Sequence, residues 1–216
     1  MQGSKLSDYL VLFILTTMMI SCRSYRTFSE KQFGRPLSAQ EQILYEESRK
    51  CGKVYALTPA ERSKKYPFSN ASTIQLVSFK NNSTDDLNYY RDSLPRMNDT
   101  VCYSKLFEII TLRSSQIDIL TDLLYNYGKK STYTPPKGVF LTGSIPTCYN
   151  PRNAILFIDQ NNQVYDFIEI CFECDNWETS STIIDLGESC TDKLKLLKQF
   201  FLEVGVHYGT TELSNK

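Results

Sequence analysis

The fold of this chain is decided by residues 148–174, which read CYNPRNAILFIDQNNQVYDFIEICFEC. Two apolar arms, over residues 154–159 and Val164–Cys171, flank the polar segment 160–163, and this pattern predicts a β-hairpin. The arms are the most continuously apolar strand candidates in the chain, so we expect the hairpin to be central in a sheet. Glu169 lies between apolar neighbours, which predicts that one face of the second arm is either mixed or locally open.

Two stretches with apolar residues at helical spacing flank the hairpin in the sequence. The first covers residues 116–127 and is followed by Gly128, which we interpret as a stop signal. The second covers residues 192–204 and is followed by Gly205. Because each apolar stripe must be covered by the rest of the fold, both helices should pack against the sheet, and Phe201 should be buried.

The remaining predicted elements are shorter. Ser38 and Glu41 fit a capping box for a helix over residues 39–50, and Cys51 would then lie on its last turn. Short strands are predicted over residues 54–57, 73–79, 105–112 and 206–208. Interspersed strands and helices of this kind predict an α+β fold, an antiparallel sheet with a central hairpin and two or three helices packed on one face.

The N-terminal segment predicts export. Lys5 precedes an uncharged run over residues 9–20. This run is shorter than the roughly 20 residues of a membrane-spanning helix, but it has the length of a signal-peptide core. It ends in residues 19–22, MISC, which resemble the lipobox of bacterial lipoproteins. The resemblance implies that Cys22 is diacylated and becomes the new N-terminus. An ordinary secretory signal and an uncleaved anchor are the alternatives.

The lipobox resemblance also sets the expected organisation and compartment. We predict a signal peptide, a lipidated cysteine with a tether, a single α+β domain and a tail, over residues 1–21, 22–37, 38–209 and 210–216. The lipid on Cys22 would make a membrane of the cell envelope the partner of the chain, on the periplasmic or surface face. Such a compartment is oxidising and permits disulfides.

Six of the seven cysteines would remain after lipidation of Cys22. All are disulfide candidates, because an even number in an exported chain favours pairing, although the sequence leaves the connectivity open. They are Cys51, Cys102, Cys148, Cys171, Cys174 and Cys190.

Two other interpretations of the cysteines stay open. Cys171 and Cys174 have the spacing of a redox pair, but the neighbouring carboxylates of Glu169, Glu173 and Asp175 would raise the thiol pKa and make the thiolate scarcer. Four cysteines from 148 to 190 could form a zinc site, but exported thiols tend to oxidise before metal arrives. We therefore expect no metal and no cofactor.

The pattern CYNPRNAILFID…IEICFEC…C…KLKLLKQFFLEVGV resembles a group of uncharacterised exported lipoproteins of the Bacteroidota. These proteins share a Cys-x-x-Pro-Arg segment, a hairpin that ends in Cys-Phe-x-Cys, and a later cysteine before a terminal helix. The resemblance covers roughly residues 115 to 209. It implies an exported compartment and this organisation, and it implies no particular activity.

Composition and motifs argue against most enzyme classes. Lysine plus arginine and aspartate plus glutamate each number 24, so net charge gives no reason to expect nucleic acid as a partner. The single histidine, His207, follows the last predicted helix, and no nucleophile motif accompanies it. Arg152 and Glu169 are the ligand-binding candidates. Arg152 could clamp a carboxylate, and Glu169 could bind a cation together with Asp159 and Asp166, although acidic residues on an exposed sheet face are commoner. A structural bond from Arg152 to a turn carbonyl is the plainer alternative.

The sequence therefore predicts a disulfide-stapled envelope lipoprotein domain with no catalytic residues, which acts as a binding or structural module. The alternative is a thiol-disulfide or metal-dependent envelope enzyme centred on Cys171 and Cys174. Neither prediction specifies the ligand, the partner or the biological process.

Overall fold

A computed structural model describes residues 34–80, 94–139, 141 and 148–211 of the chain. The predicted signal peptide, Cys22 and most of the predicted tether lie outside the described residues. The chain divides into two compact units, one from Met1–Glu46 and Tyr133–Ser144 and the other from Glu47–Thr132 and Ile145–Lys216. The boundaries of the predicted domain stay a prediction.

The described elements follow one another in a mixed order along the chain. The strands are β1 (Cys51–Lys53), β2 (Thr73–Phe79), β3 (Arg96–Met97), β4 (Thr100–Val101), β5 (Leu106–Thr111), β6 (Tyr127–Lys129), β7 (Asn153–Ile158), β8 (Val164–Cys171) and β9 (Asn176–Thr179). The helices are α1 (Ala39–Arg49), α2 (Pro59–Ser63), α3 (Ser114–Tyr125) and α4 (Lys193–Val204).

Five antiparallel strands form the main sheet in the order β5-β2-β7-β8-β9. The α+β fold and the central hairpin are therefore confirmed, since β7 is the middle strand and β8 lies beside it. Each of the six residues of β7 is buried. This explains why residues 153–158 contain hardly any polar side chain, because apolar residues are needed on both faces of the strand. Two small antiparallel ribbons, β1-β6 and β3-β4, lie outside the main sheet.

Both faces of the central strands are covered, but by different elements. On one face, α3 and α4 pack on the sheet in a core that includes Leu76, Leu120, Leu124, Ile155, Phe157, Ile168, Leu197 and Phe201. The other face is covered by a second core, which has no helical member among the residues that the structure describes and includes Val77, Phe79, Leu94, Val101, Leu156 and Phe167. Phe201 has an exposed fraction of 0%, so its predicted burial is confirmed.

The predicted capping box at the start of α1 is confirmed. The Glu41 amide donates to Ser38 Oγ at 3.3 Å, and the Ser38 amide donates to Glu41 Oε2 at 2.8 Å. Arg35 adds two hydrogen bonds of 2.6 Å to the same carboxylate. This pairing holds the pKa of Glu41 at about 2 and fixes the residues that lead into the helix.

The structure corrects the prediction at the first cysteine and at Gly128. The helix ends at Arg49, and Cys51 begins strand β1 instead of lying on the last helical turn. Gly128 is a residue of β6 and pairs with Gly52, so it is not the stop signal of a helix. A Cβ on Gly128 would lie 2.2 Å from a carboxylate oxygen of Glu188, which explains the glycine at this position.

Two predicted strands are absent from the described residues because acceptors distant in the chain take their backbone amides. The Val54 and Tyr55 amides donate to the backbone carbonyl of Asn126 at 3.0 and 3.1 Å, and the Leu57 amide donates to Asn126 Oδ1 at 2.8 Å. Residues 54–57 therefore lie against the end of α3 and do not form a strand. His207 and Tyr208 lie where the second strand was predicted, and their amides donate to the Glu108 carboxylate, Tyr208 at 3.0 Å.

Lys193 is a buried cation that joins α4 to the end of α3. It has an exposed fraction of 2%, and its ammonium donates to the carbonyls of Leu124, Leu186 and Glu188 at 2.5, 3.2 and 2.6 Å. The carbonyl of Leu124 belongs to the last turn of α3, where intrahelical partners run out. Lys193 therefore supplies the donors that this buried junction needs.

We expect Lys193→Met to lower the free energy of unfolding by about 1–3 kcal/mol, because the substitution keeps the length of the side chain but removes the donor for three carbonyls, two of them in buried contacts. Urea unfolding measures the difference. Lys195→Met is the matched control, since Lys195 is exposed on the same helix. Equal losses in the two variants would contradict a role for the carbonyl contacts.

Candidate functional site

The sheet register brings together most of the residues that the sequence singles out. In the β7–β8 pair, Asn153 lies opposite Ile170, so the start of β7 is beside the end of β8. Residues 148–152 lead into β7, and Cys171 is the last residue of β8. We call Cys148, Tyr149, Glu169, Cys171 and Cys174 the cysteine cluster.

A tight connection between β8 and β9 places Cys174. Cys171 pairs with Asn176, so residues 172–175 form the loop between the two strands. Asp175 has a φ of 49°, the left-handed conformation that aspartate tolerates better than most residues. The turn directs Cys174 towards residues 148–150, and Cys148 and Cys174 form a disulfide with a Cα–Cα distance of 5.8 Å.

Cys171 carries a free thiol beside this disulfide. It has an exposed fraction of 1%, and its Sγ accepts a hydrogen bond from the Cys174 amide at 3.2 Å. Burial raises the pKa of the Cys171 thiol, although the amides of Asn150, Cys174 and Glu173 act in the opposite direction. The thiol is therefore protonated at neutral pH and covered from solvent.

Glu169 is buried on the same strand, with an exposed fraction of 1%. Its carboxylate accepts the Tyr149 hydroxyl at 3.2 Å and the backbone amide of Leu94. Burial raises the pKa of Tyr149, and the charge of Glu169 raises it further, so Tyr149 stays a hydrogen-bond donor. The polar residue that makes this strand face mixed is thus a buried carboxylate, which is hydrogen-bonded within its own chain.

Arg152 does clamp a carboxylate, but the carboxylate belongs to its own chain. Its Nη2 lies 2.6 Å from Glu173 Oε2 in the β8–β9 loop. The Glu173 side chain is 62% exposed, so solvent weakens the pair. The contact ties the residues before β7 to the loop that carries Cys174, in parallel with the disulfide. The turn-carbonyl alternative for Arg152 has no support among the described hydrogen bonds.

The other predicted cysteines form no bond with this cluster. Cys51 and Cys190 form a second disulfide, with a Cα–Cα distance of 5.0 Å, which joins β1 to the residues before α4. Cys102 is half-buried and free. Cys22 lies outside the described residues, so its predicted lipidation stays a prediction.

The two disulfides use three of the four cysteines that the zinc hypothesis needs as ligands. Of its four cysteines, Cys148, Cys174 and Cys190 are bonded in disulfides, which leaves Cys171 as the remaining thiol. In the described part of the chain, no group of three or more histidine, cysteine, aspartate or glutamate side chains is placed to hold a metal ion.

Sequence reasoning missed Tyr149 and the bonding role of Glu173. Both lie within the stretch that decides the fold, and Tyr149 follows Cys148 directly. Their partners, Glu169 and Arg152, are about 20 residues away in the chain (separations of 20 and 21), and only the strand register brings them close. The position of Tyr149 beside Cys148 was a usable signal for Tyr149, whereas nothing in the sequence indicates the Arg152–Glu173 ion pair.

Comparisons of the chain with family models, with curated proteins and with solved structures give no match. Over the residues that the structure describes, no helix has the length and apolar character needed to cross a membrane. The fold and the cysteine pairing therefore define the class of the protein by themselves, an α+β module stapled by two disulfides.

Proposed function

We propose that this chain is an exported lipoprotein, held on a membrane of the cell envelope through a lipid on Cys22, and that its stapled domain is a non-catalytic binding or structural module. The observation that carries the proposal is the presence of two disulfides within one small sheet-and-helix unit. Disulfides persist in oxidising compartments and are rare where thiols are kept reduced. The lipobox-like end of the N-terminal segment supplies the route to such a compartment.

The state of the cysteine cluster supports a role without catalysis. A catalytic thiol needs a lowered pKa and access to its substrate. Cys171 has the opposite properties, because its thiol is buried and its pKa is raised. Glu169 and Arg152, the predicted ligand-binding residues, are occupied by Tyr149 and Glu173 of the same chain. In this arrangement they stabilise the module.

The thiol-disulfide alternative ranks second for a specific reason. It requires Cys171 and Cys174 to form the redox pair, whereas Cys174 is bonded to Cys148. The described cluster thus presents a disulfide with an exposed member, Cys148, and no accessible thiol to attack a substrate.

Replacement of Cys22 tests the anchor. Cys22→Ala should abolish the incorporation of radiolabelled palmitate and should leave the chain unprocessed or release it from the membrane fraction, because the thiol is the site of diacylation. Cys102→Ala is the matched control, since Cys102 is a free cysteine within the described residues, and it should incorporate palmitate as the wild type does. If the wild type takes up no palmitate in its own host, the anchor is wrong.

A further inference from the structure

Three cysteines lie where the start of β7 meets the β8–β9 loop, and each has a different solvent exposure. Cys148 is exposed, Cys174 is half-buried and Cys171 is buried. A disulfide joins Cys148 and Cys174, and the buried Cys171 carries a free thiol. A change of partner within the three would move the thiol without any external oxidant.

The contacts of Cys171 place its sulfur beside both arms of the existing disulfide. Its Sγ accepts from the Cys174 amide at 3.2 Å, and the amide of Glu173 also points to it from the same loop. The amide of Asn150, two residues after Cys148, points to it from the other arm. The thiol is thus held where the two segments joined by the Cys148–Cys174 disulfide come together.

The Cys171–Cys174 spacing fits the alternative bond. Two intervening residues are the spacing of the dithiol motifs that switch between disulfide and thiols. The four-residue loop that follows Cys171 turns the chain back, and it brings the Cys174 amide to 3.2 Å from Cys171 Sγ. The amides around Cys171 Sγ would stabilise a thiolate in the moment of attack, because each one donates to it.

We propose that Cys171 exchanges with Cys148 as the partner of Cys174 and thereby creates an exposed thiol at Cys148. In the step, the Cys171 thiolate attacks Sγ of Cys174, the Cys171–Cys174 bond forms, and the Cys148–Cys174 bond breaks. Cys148 leaves as a thiolate and takes up the proton that Cys171 released. One disulfide and one thiol are present before and after, so nothing is oxidised or reduced overall.

The exposed Cys148 thiol is then a modification site for a disulfide-bearing partner, either a small disulfide such as oxidised glutathione or a protein. Its thiolate attacks the partner disulfide, the Cys148–partner bond forms, and half of the partner leaves as a thiolate. This covalent site goes beyond the proposed binding or structural role and does not depend on the lipid anchor.

The test uses the full-length chain with Cys102→Ser, so that Cys171 is the remaining free thiol among the described residues. After incubation with oxidised glutathione and acid quenching, peptide mapping without reduction should find glutathione on Cys148 together with a Cys171–Cys174 disulfide. The adduct should form about tenfold faster for each pH unit while the pH is below the thiol pKa, because the thiolate is the attacking species. Glutathione on Cys171, or no adduct at all, would overturn the proposal.

Two further variants separate exchange from direct reaction. Cys171→Ser in the Cys102→Ser background keeps the Cys148–Cys174 disulfide, so the adduct on Cys148 should fall at least about tenfold. An adduct that persists at the wild-type rate would contradict the exchange. Cys148→Ser should form a Cys171–Cys174 disulfide with oxidised glutathione as the oxidant. If the Cys171 and Cys174 thiols of this variant stay unpaired, the two sulfurs do not come into contact, and the exchange is contradicted. Circular dichroism shows whether the variant is folded, and the conclusion is the same in either case.

Discussion

Phe201→Ala is expected to lower the free energy of unfolding by about 3–5 kcal/mol, as truncation of a fully buried aromatic ring does in other cores. The Phe201 side chain has an exposed fraction of 0% and lies in the core that α4 shares with the sheet. It packs edge-to-face against Phe172 at 5.2 Å and against Phe200 at 6.5 Å. The substitution removes these contacts and leaves a cavity that the rigid sheet cannot close.

Urea unfolding of the two proteins measures this loss, with the slope of the transition as a check that unfolding exposes the same surface in both. Lys195→Ala is the matched control on the solvent side of α4, where Lys195 is exposed, and it should change stability by less than about 0.5 kcal/mol. A Phe201→Ala loss no larger than that of the control would contradict the packing of α4 on the sheet.

The strongest sequence signals were those with an unambiguous period or an unbroken apolar run. The hairpin was predicted over 154–159 and 164–171 and is found as Asn153–Ile158 and Val164–Cys171. The long apolar run predicted a central strand because a strand in the middle of this sheet has both faces covered. The helical stripes at 116–127 and 192–204 were also placed to within two residues at each end, since burial of one face requires the spacing that the sequence shows.

The wrong predictions share a different physical cause. Residues 54–57 and 206–208 are apolar enough to resemble strands, but their backbone amides donate elsewhere. The acceptors are the backbone carbonyl and side chain of Asn126 for the first segment and the Glu108 carboxylate for the second. Both acceptors are distant in the chain, and each competes for these backbone amides only once the fold brings it near. Local composition carries no record of that competition, so short strand predictions of this kind fail where a long one succeeds.

The candidate site was predictable as a location and not as a bonding pattern. The sequence concentrates four of its seven cysteines between Cys148 and Cys190, and the hairpin register does bring Cys148 and Cys174 together. The pairing itself belongs to the turn between β8 and β9, in which Asp175 adopts a left-handed conformation and Cys174 is bonded to Cys148. The even count suggested that all six cysteines pair, whereas Cys102 and Cys171 are free. An even number of cysteines permits every cysteine to pair, but it does not require this.

Removal of the Cys51–Cys190 disulfide is the second large effect that we expect. The double variant Cys51→Ala/Cys190→Ala should lower the free energy of unfolding by up to about 5 kcal/mol, because in the chain-entropy model the stabilisation grows with the length of the closed loop. The two cysteines are 139 residues apart. Cys148 and Cys174 are 26 apart, so Cys148→Ala/Cys174→Ala should lower it by up to about 3.5 kcal/mol.

The order of the two losses is the decisive result, and urea unfolding of both double variants under non-reducing conditions measures it. The Cys51–Cys190 bond also joins the β1-β6 ribbon to the residues before α4, and this ribbon is a separate sheet that does not pair with the main one. Cys102→Ala is the control, because Cys102 is free and half-buried, and it should cost much less than either disulfide. A larger loss from the Cys148–Cys174 variant would show that local contacts of the cysteine cluster, rather than the entropy of the unfolded chain, dominate the effect of the staples.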